Sequence, residues 1–214
     1  MSADAESFAT PEFQSALRAL FAWRRDVRSF RTDPVPQRLL DELLETAALA
    51  PSVGLSQPWR FVRVRTASAR AVVQVSFELC NAKALAGYDG DAAALYARLK
   101  LAGLQEAPEH YAVFCDHEAV AGRGLGRQTM PQTLEYSVVA AVNTLWLAAR
   151  AQGLGLGWVS ILDPDTVTQA LDVPSSWRLI AYLCLGWPQA HSLQPELQQL
   201  GWETRSKTAP VLER

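Results

Sequence analysis

The stretch from Gln132 to Gln152 narrows the possible folds more than any other. Val138, Val139, Ala140, Ala141, Val142, Leu145, Trp146, Leu147, Ala148 and Ala149 leave few polar positions on any face of a helix there. Pro131 supplies a start signal. A helix apolar nearly all round is expected to be buried on all sides. In a chain of 214 residues, that places it at the centre of the fold, at a subunit interface, or both. A homodimer satisfies both.

Around this helix the apolar spacing switches between helical and strand periods. Pro11 to Trp23 reads as a first helix, with Phe13, Leu17, Leu20 and Phe21 at helical spacing. A second helix opens at Pro36, carries Leu39, Leu40, Leu43, Leu44 and Ala47 on one face, and ends before Pro51. Short strands are predicted at Arg60 to Arg65, His110 to Cys115, Gly155 to Ile161 and Leu179 to Leu185, with a short helix over Pro164 to Leu171. Residues 67–105 read as two helical pieces broken near Gly87-Tyr88-Asp89-Gly90. The chain closes in an irregular tail through Gly201-Trp202-Glu203-Thr204-Arg205. Neither a repeat nor a linker divides it, so residues 1–214 are expected to form one α+β domain.

Several function classes are disfavoured by composition. A net charge of −2 gives no reason to expect nucleic acid or an anionic membrane as partner. No apolar run reaches transmembrane length without a charge. The acidic start, Met1 to Glu6, does not read as a signal peptide. Cys80, Cys115 and Cys184 lie far apart in apolar stretches, which suggests reduced, buried thiols in a cytoplasmic protein. His110, His117 and His191 are scattered, so no metal is expected.

Basic charge is instead concentrated in Arg24-Arg25-Asp26-Val27-Arg28, with Arg31 beyond. Arg24 and Arg28 share a face if the segment is helical or turn-like. Guanidinium forks match phosphate oxygens, and two on one face suit a monoester dianion. Spacing alone also allows a solvated basic patch. Asp26 is either a charge-balancing partner or a functional carboxylate. A second polar group, Ser52, Ser56 and Gln57, lies on a Pro-bounded turn and offers donors and acceptors, beside ordinary turn chemistry. A third candidate is Gly153-Leu154-Gly155-Leu156-Gly157-Trp158-Val159-Ser160, whose glycines would let backbone approach a flat ligand. The Gly122-Arg123-Gly124-Leu125-Gly126 loop lacks the spacing of a dinucleotide fingerprint.

The segments WRRDVRSFR, LAPSVGLSQPWRFV, YARLKLAGLQEAP, TLWLAARAQGLGLGWVSILDP and AYLCLGWP together resemble the 5,6-dimethylbenzimidazole synthases, the flavin-consuming branch of the FMN-dependent nitroreductase-like fold. The resemblance runs from about Phe13 to Arg205. It implies a nitroreductase-like mixed sheet flanked by helices, and a homodimer with flavin sites at its interface. It implies fragmentation of reduced FMN by O2 to 5,6-dimethylbenzimidazole, the lower ligand base of vitamin B12, with erythrose 4-phosphate. FMN is then a substrate, supplied reduced by a separate NAD(P)H-dependent flavin reductase.

Matched motif by motif, Arg24, Arg25 and Arg28, with Asp26 and Val27 between them, and Arg205 would hold the phosphate end. Ser52, Ser56 and Gln57 would meet the ribityl chain or ring edge. Leu99 and Lys100 belong to a helical lid within 67–105, and Trp158 and Ser160 line the ring. Asp26 and Ser160 take the catalytic positions, with Asp26 transferring a proton. Where the family pattern has a glutamate this chain has Gln132, and a helix cap would be served equally by either. An NAD(P)H-dependent FMN nitroreductase that retains its flavin, and a non-catalytic flavin-binding protein, share the same arginines and glycines. A closed lid argues against the first, since it leaves little room for a nicotinamide. Asp26 and Ser160 argue against the second.

Overall fold

The computed structural model describes residues 8–206 and 208–214; the acidic start, Met1 to Glu6, lies outside them. Four strands form one sheet in the order β1-β2-β4-β3: β1 (Trp59–Arg63), β2 (Glu109–Asp116), β3 (Gly155–Val159) and β4 (Trp177–Gly186). Every neighbouring pair of these strands is antiparallel.

Side chains alternate across the sheet as strand geometry requires. Tyr111, Val113, Leu183 and Leu185 face one layer, built from α2 (Gln37–Ala47) and α5 (Thr133–Ala151) with Leu40, Leu43, Val138, Val142 and Leu145. Ala112, Phe114, Tyr182 and Cys184 face the other, which holds Val73 of α3 (Ala67–Leu85) and Val167 of α6 (Pro164–Ala170). A register shift between Val113 and Phe114 bends the central pair. Among the described residues no helix is long and apolar enough to cross a membrane.

Two helices depart from the sequence expectation. α5 buries Leu134, Val138, Ala141, Val142, Leu145 and Ala149, yet Tyr136 and Val139 stay exposed. In a single chain it is therefore not buried on all sides. The first helix, α1 (Pro11–Trp23), starts where Thr10 Oγ1 accepts from the Phe13 amide at 3.2 Å. Its stripe of Phe13, Leu17 and Phe21 is exposed and none of its residues is buried. An apolar stripe at helical spacing marks the face to be covered, but not the chain that covers it.

The sheet gains its mixed character at the free edge of β3. There Asp26 and Leu156 form a parallel bridge, and the Val27 amide donates to Leu156 O at 3.1 Å. The alternate glycines serve this contact. A Cβ at Gly157 would stand 2.1 Å from Val27 O, and one at Gly155 would stand 2.7 Å from Val27 Cγ2. The close approach read from the glycines is thus made by the arginine segment of the same chain.

Candidate active site

α1 ends at Trp23, and the chain turns extended at Arg24 before lying along β3. That path sets the arginine segment across the end of the sheet. Asp26 is held at both oxygens. Oδ1 accepts from the Trp158 amide at 2.9 Å, and Oδ2 accepts from Arg28 Nε at 2.9 Å. The Arg28 and Asp26 side chains are 12% and 30% exposed, so this pair is partly shielded from solvent competition. Arg28 Nη1 also donates to Lys100 O at 3.1 Å. One guanidinium therefore joins Asp26 to the Leu99–Lys100 stretch.

Arg24, Arg25, Arg28 and Arg205 converge on one cavity of about 280 Å³, lined further by Asp26, Pro195, Glu196 and Leu197. Residues separated by almost the whole chain are thus brought together around one cavity. Arg24 lies over the Trp146 ring, 4.9 Å from its centre. Trp146 Nε1 donates to Arg25 O at 3.1 Å, fixing the backbone beneath the cluster. Arg25 reaches back to the carbonyls of Ala22 and Leu193 and leaves its buried Nε without a partner among the described residues. Burial, then neighbouring Arg24 and Arg205, lower the Arg25 pKa. Arg31 is not part of the cavity lining; it pairs with Asp33 at the surface.

This arrangement fits a phosphate monoester. Guanidiniums that crowd one cavity repel each other until an anion lies between them, and an unsatisfied buried donor is costly to leave so. Glu196 tempers the cluster on one side.

The other expected site residues lie apart from this cavity. Ser52 Oγ accepts from the Gln57 amide at 3.1 Å, and Gln57 Nε2 donates to Ala48 O at 3.4 Å. Ser56 is buried, and its Oγ has no partner among the described residues. None of the three lines the arginine cavity in one chain. Leu99 and Lys100 line a neighbouring cavity of about 240 Å³ against α3. The predicted third strand stops at Val159, so Ser160 stands just past its end and is exposed. Gln132 precedes α5, but its side chain makes no capping hydrogen bond. Of the thiols, Cys115 and Cys184 are buried and Cys80 is partly exposed.

Trp146, Glu196 and Leu197 belong to the cavity region and were not read from the sequence. Trp146 was absorbed into the apolar run of α5. Glu196 and Leu197 lie in α7 (Glu196–Gln199), too short for its periodicity to register.

Residues 21–187 match the sequence profile of the nitroreductase family. The chain belongs to the nitroreductase family. Within that family it is 56% identical over 204 residues to a protein from Rhodospirillum rubrum named 5,6-dimethylbenzimidazole synthase, covering 95% of this chain and 96% of the relative. A protein of the same name from Rhodobacter capsulatus is 45% identical over 195 residues, covering 91% and 94%. A nitroreductase-like solved structure, oxidized iodotyrosine deiodinase bound to FMN and 3-iodo-L-tyrosine, is similar at a TM-score of 0.68. It is 25% identical, with 92% of this chain and 97% of that chain covered.

Proposed function

We propose that this nitroreductase-family chain is a 5,6-dimethylbenzimidazole synthase that consumes reduced FMN and O2 and releases erythrose 4-phosphate. The observation that carries the reading is Asp26, held by Arg28 and the Trp158 amide beside a four-arginine cavity. Two relatives covering over nine-tenths of this chain carry the same name.

Arg24, Arg25 and Arg205 bind the phosphate, and Arg28 both adjoins it and orients Asp26. The reduced ring supplies the electrons that activate O2. Asp26 accepts and returns a proton at the ring as it breaks down. The two fixed donors on Asp26 leave it no freedom to swing away, which preserves the geometry that proton transfer needs. Trp158 lies in β3 beside Asp26, and Ser160, just past the strand's end, is assigned to the ring alongside Asp26. The Leu99–Lys100 segment covers the ring and excludes water. α3 is packed into the core through Val73. The part of 67–105 proposed as the lid is therefore residues 86–105, which include Tyr88 and α4 (Gly90–Tyr96).

The active unit is a homodimer. The exposed stripes Phe13, Leu17, Phe21 and Tyr136, Val139 form the face that a second copy covers. Ser52, Ser56 and Gln57, distant from the arginine cavity in one chain, then reach the partner's flavin. A separate NAD(P)H-dependent reductase delivers the flavin reduced, in the cytoplasm. Mixing the protein with chemically reduced FMN in air, without NAD(P)H, tests the reading by mass spectrometry. 5,6-Dimethylbenzimidazole together with a tetrose phosphate is expected, and neither product would form if the chain only retained its flavin.

A further inference from the structure

The C-terminal tail carries one of the cavity arginines and also touches the lid. α7 ends in a turn built on Gly201, at φ +79°. The Trp202 amide donates to Leu197 O at 2.8 Å, and the Gly201 amide to Gln198 O at 3.2 Å. This pair of bonds, with glycine in the left-handed region, is a Schellman ending, and it fixes where the Trp202 ring points. The ring packs edge-on against two tyrosines of the proposed lid, 5.6 Å from Tyr88 and 5.9 Å from Tyr96. Those tyrosines stack on each other at 5.0 Å, and the Tyr96 hydroxyl donates to Asn81 Oδ1 on α3 at 2.8 Å.

On the other side, the same short unit faces the phosphate cavity. Glu196 and Leu197 line it, and Arg205 enters it three residues after Trp202. The Arg205 amide meets Gln198 Oε1 at 3.4 Å, tying the arginine back to α7. The far end of the lid is attached too. Arg28 Nη1 holds Lys100 O, and the Lys100 ammonium pairs with Glu106 at 2.5 Å. Gly103 lies so close to Phe30 that a Cβ there would be 2.4 Å from the ring.

We infer that Trp202 is a positioning residue that couples phosphate recognition to lid closure, so that the chain selects a phosphomonoester flavin over an unphosphorylated one. This rests on the proposed function for the identity of the ligand. Arg205 is the cavity arginine that sits on the tail, so repulsion among the guanidiniums acts on the unit that α7, Trp202 and Arg205 form. A phosphate dianion reverses that force and draws Arg205 inward. The Schellman turn transmits the movement to Trp202, and Trp202 seats Tyr88 and Tyr96. Riboflavin, lacking the phosphate, leaves the tail and the lid uncoupled.

The test compares reduced FMN with reduced riboflavin in the wild type, Trp202→Ala and Trp202→Phe. The wild type turns FMN over with the higher kcat. Two edge-on aromatic contacts justify a loss of about tenfold in that advantage for Trp202→Ala. Riboflavin turnover stays unchanged in Trp202→Ala, and Trp202→Phe recovers most of the FMN advantage. Hydrogen exchange with oxidised FMN or riboflavin supplies a readout independent of turnover: FMN alone protects residues 86–105 in the wild type, and no longer does so in Trp202→Ala. If Trp202→Ala does not fold, Tyr88→Ala removes the contact from the lid side. The inference is overturned if both flavins lose turnover equally, if only KM for FMN changes, or if FMN fails to protect the lid in the wild type. Protection by FMN without any benzimidazole product would sink the proposed function and leave the coupling standing.

Discussion

The carboxylate of Asp26 and the backbone amide of Trp158 are joined by a 2.9 Å hydrogen bond across 132 residues of chain. The bond locks the arginine segment to the free edge of the sheet and leaves the acid beside the arginine-lined cavity. A side chain held this way can lose its chemistry without losing its place. Asp26→Asn keeps an oxygen to accept from Trp158, gives up the bond from Arg28 Nε and removes the proton-accepting carboxylate. Product formation is expected to fall by about 100-fold or more, the usual contribution of a general acid–base group. FMN affinity, measured by fluorescence quenching, should stay within a few-fold. A parallel collapse of affinity would assign Asp26 to the frame of the site instead.

Ser160 is exposed at the end of β3, where substitutions usually shift stability by less than about 0.5 kcal/mol. Ser160→Gly should therefore unfold in urea at the wild-type midpoint and bind FMN normally, while losing most product. Full activity in this variant would remove the serine from the mechanism.

Gly157 faces Val27 O at a distance no side chain tolerates. Gly157→Ala must push the arginine segment off β3, and overpacking of this kind costs about 1–3 kcal/mol. Urea unfolding should register that loss, and FMN binding should weaken with it, because Asp26 and Arg28 move together. Unchanged stability would mean that the bridge between Asp26 and Leu156 is dispensable.

Acid stability should depend on His110. It is buried, with Nδ1 2.9 Å from the Tyr182 hydroxyl. Burial, then the nearby Arg70 charge, push its pKa down from 6.5 to about 4. The unfolded chain therefore binds the proton more tightly, and this contribution to stability is whole above pH 6.5 and is lost as pH falls toward 4. Over that window the loss is on the order of 3 kcal/mol. His110→Gln should flatten the fall in urea midpoint between pH 7 and pH 5. An equally steep fall in the variant would place the acid sensitivity elsewhere.

The apolar stripes on α1 and α5 predict self-association. Light scattering on the wild type should give a dimer. Val139→Glu, at a position 41% exposed in one chain, should give a folded monomer with little product. A wild-type monomer with full activity would contradict the shared site.

Most of the framework was legible because it rests on short-range rules. β1 mixes apolar residues with arginines, α1 and α6 start at prolines and α2 just after one, and the arginine segment stands out by charge. What the sequence left open depends on long-range contact. Gly155 and Gly157 announce a close approach, but only the fold reveals Val27 as the approaching group. Phe13, Leu17 and Phe21 mark a face to be covered without naming what covers it. Trp202 looked like part of an irregular tail, because its role is set by a single turn and by tyrosines over a hundred residues away.

Destruction of FMN, rather than its recycling, sets the proposed reaction apart from that of a flavin-retaining nitroreductase. A mass balance after one exposure of the reduced-FMN complex to O2, with no NAD(P)H present, tests it most directly. Flavin should disappear mole for mole as 5,6-dimethylbenzimidazole is formed. Quantitative recovery of oxidised FMN with accumulating hydrogen peroxide would contradict it.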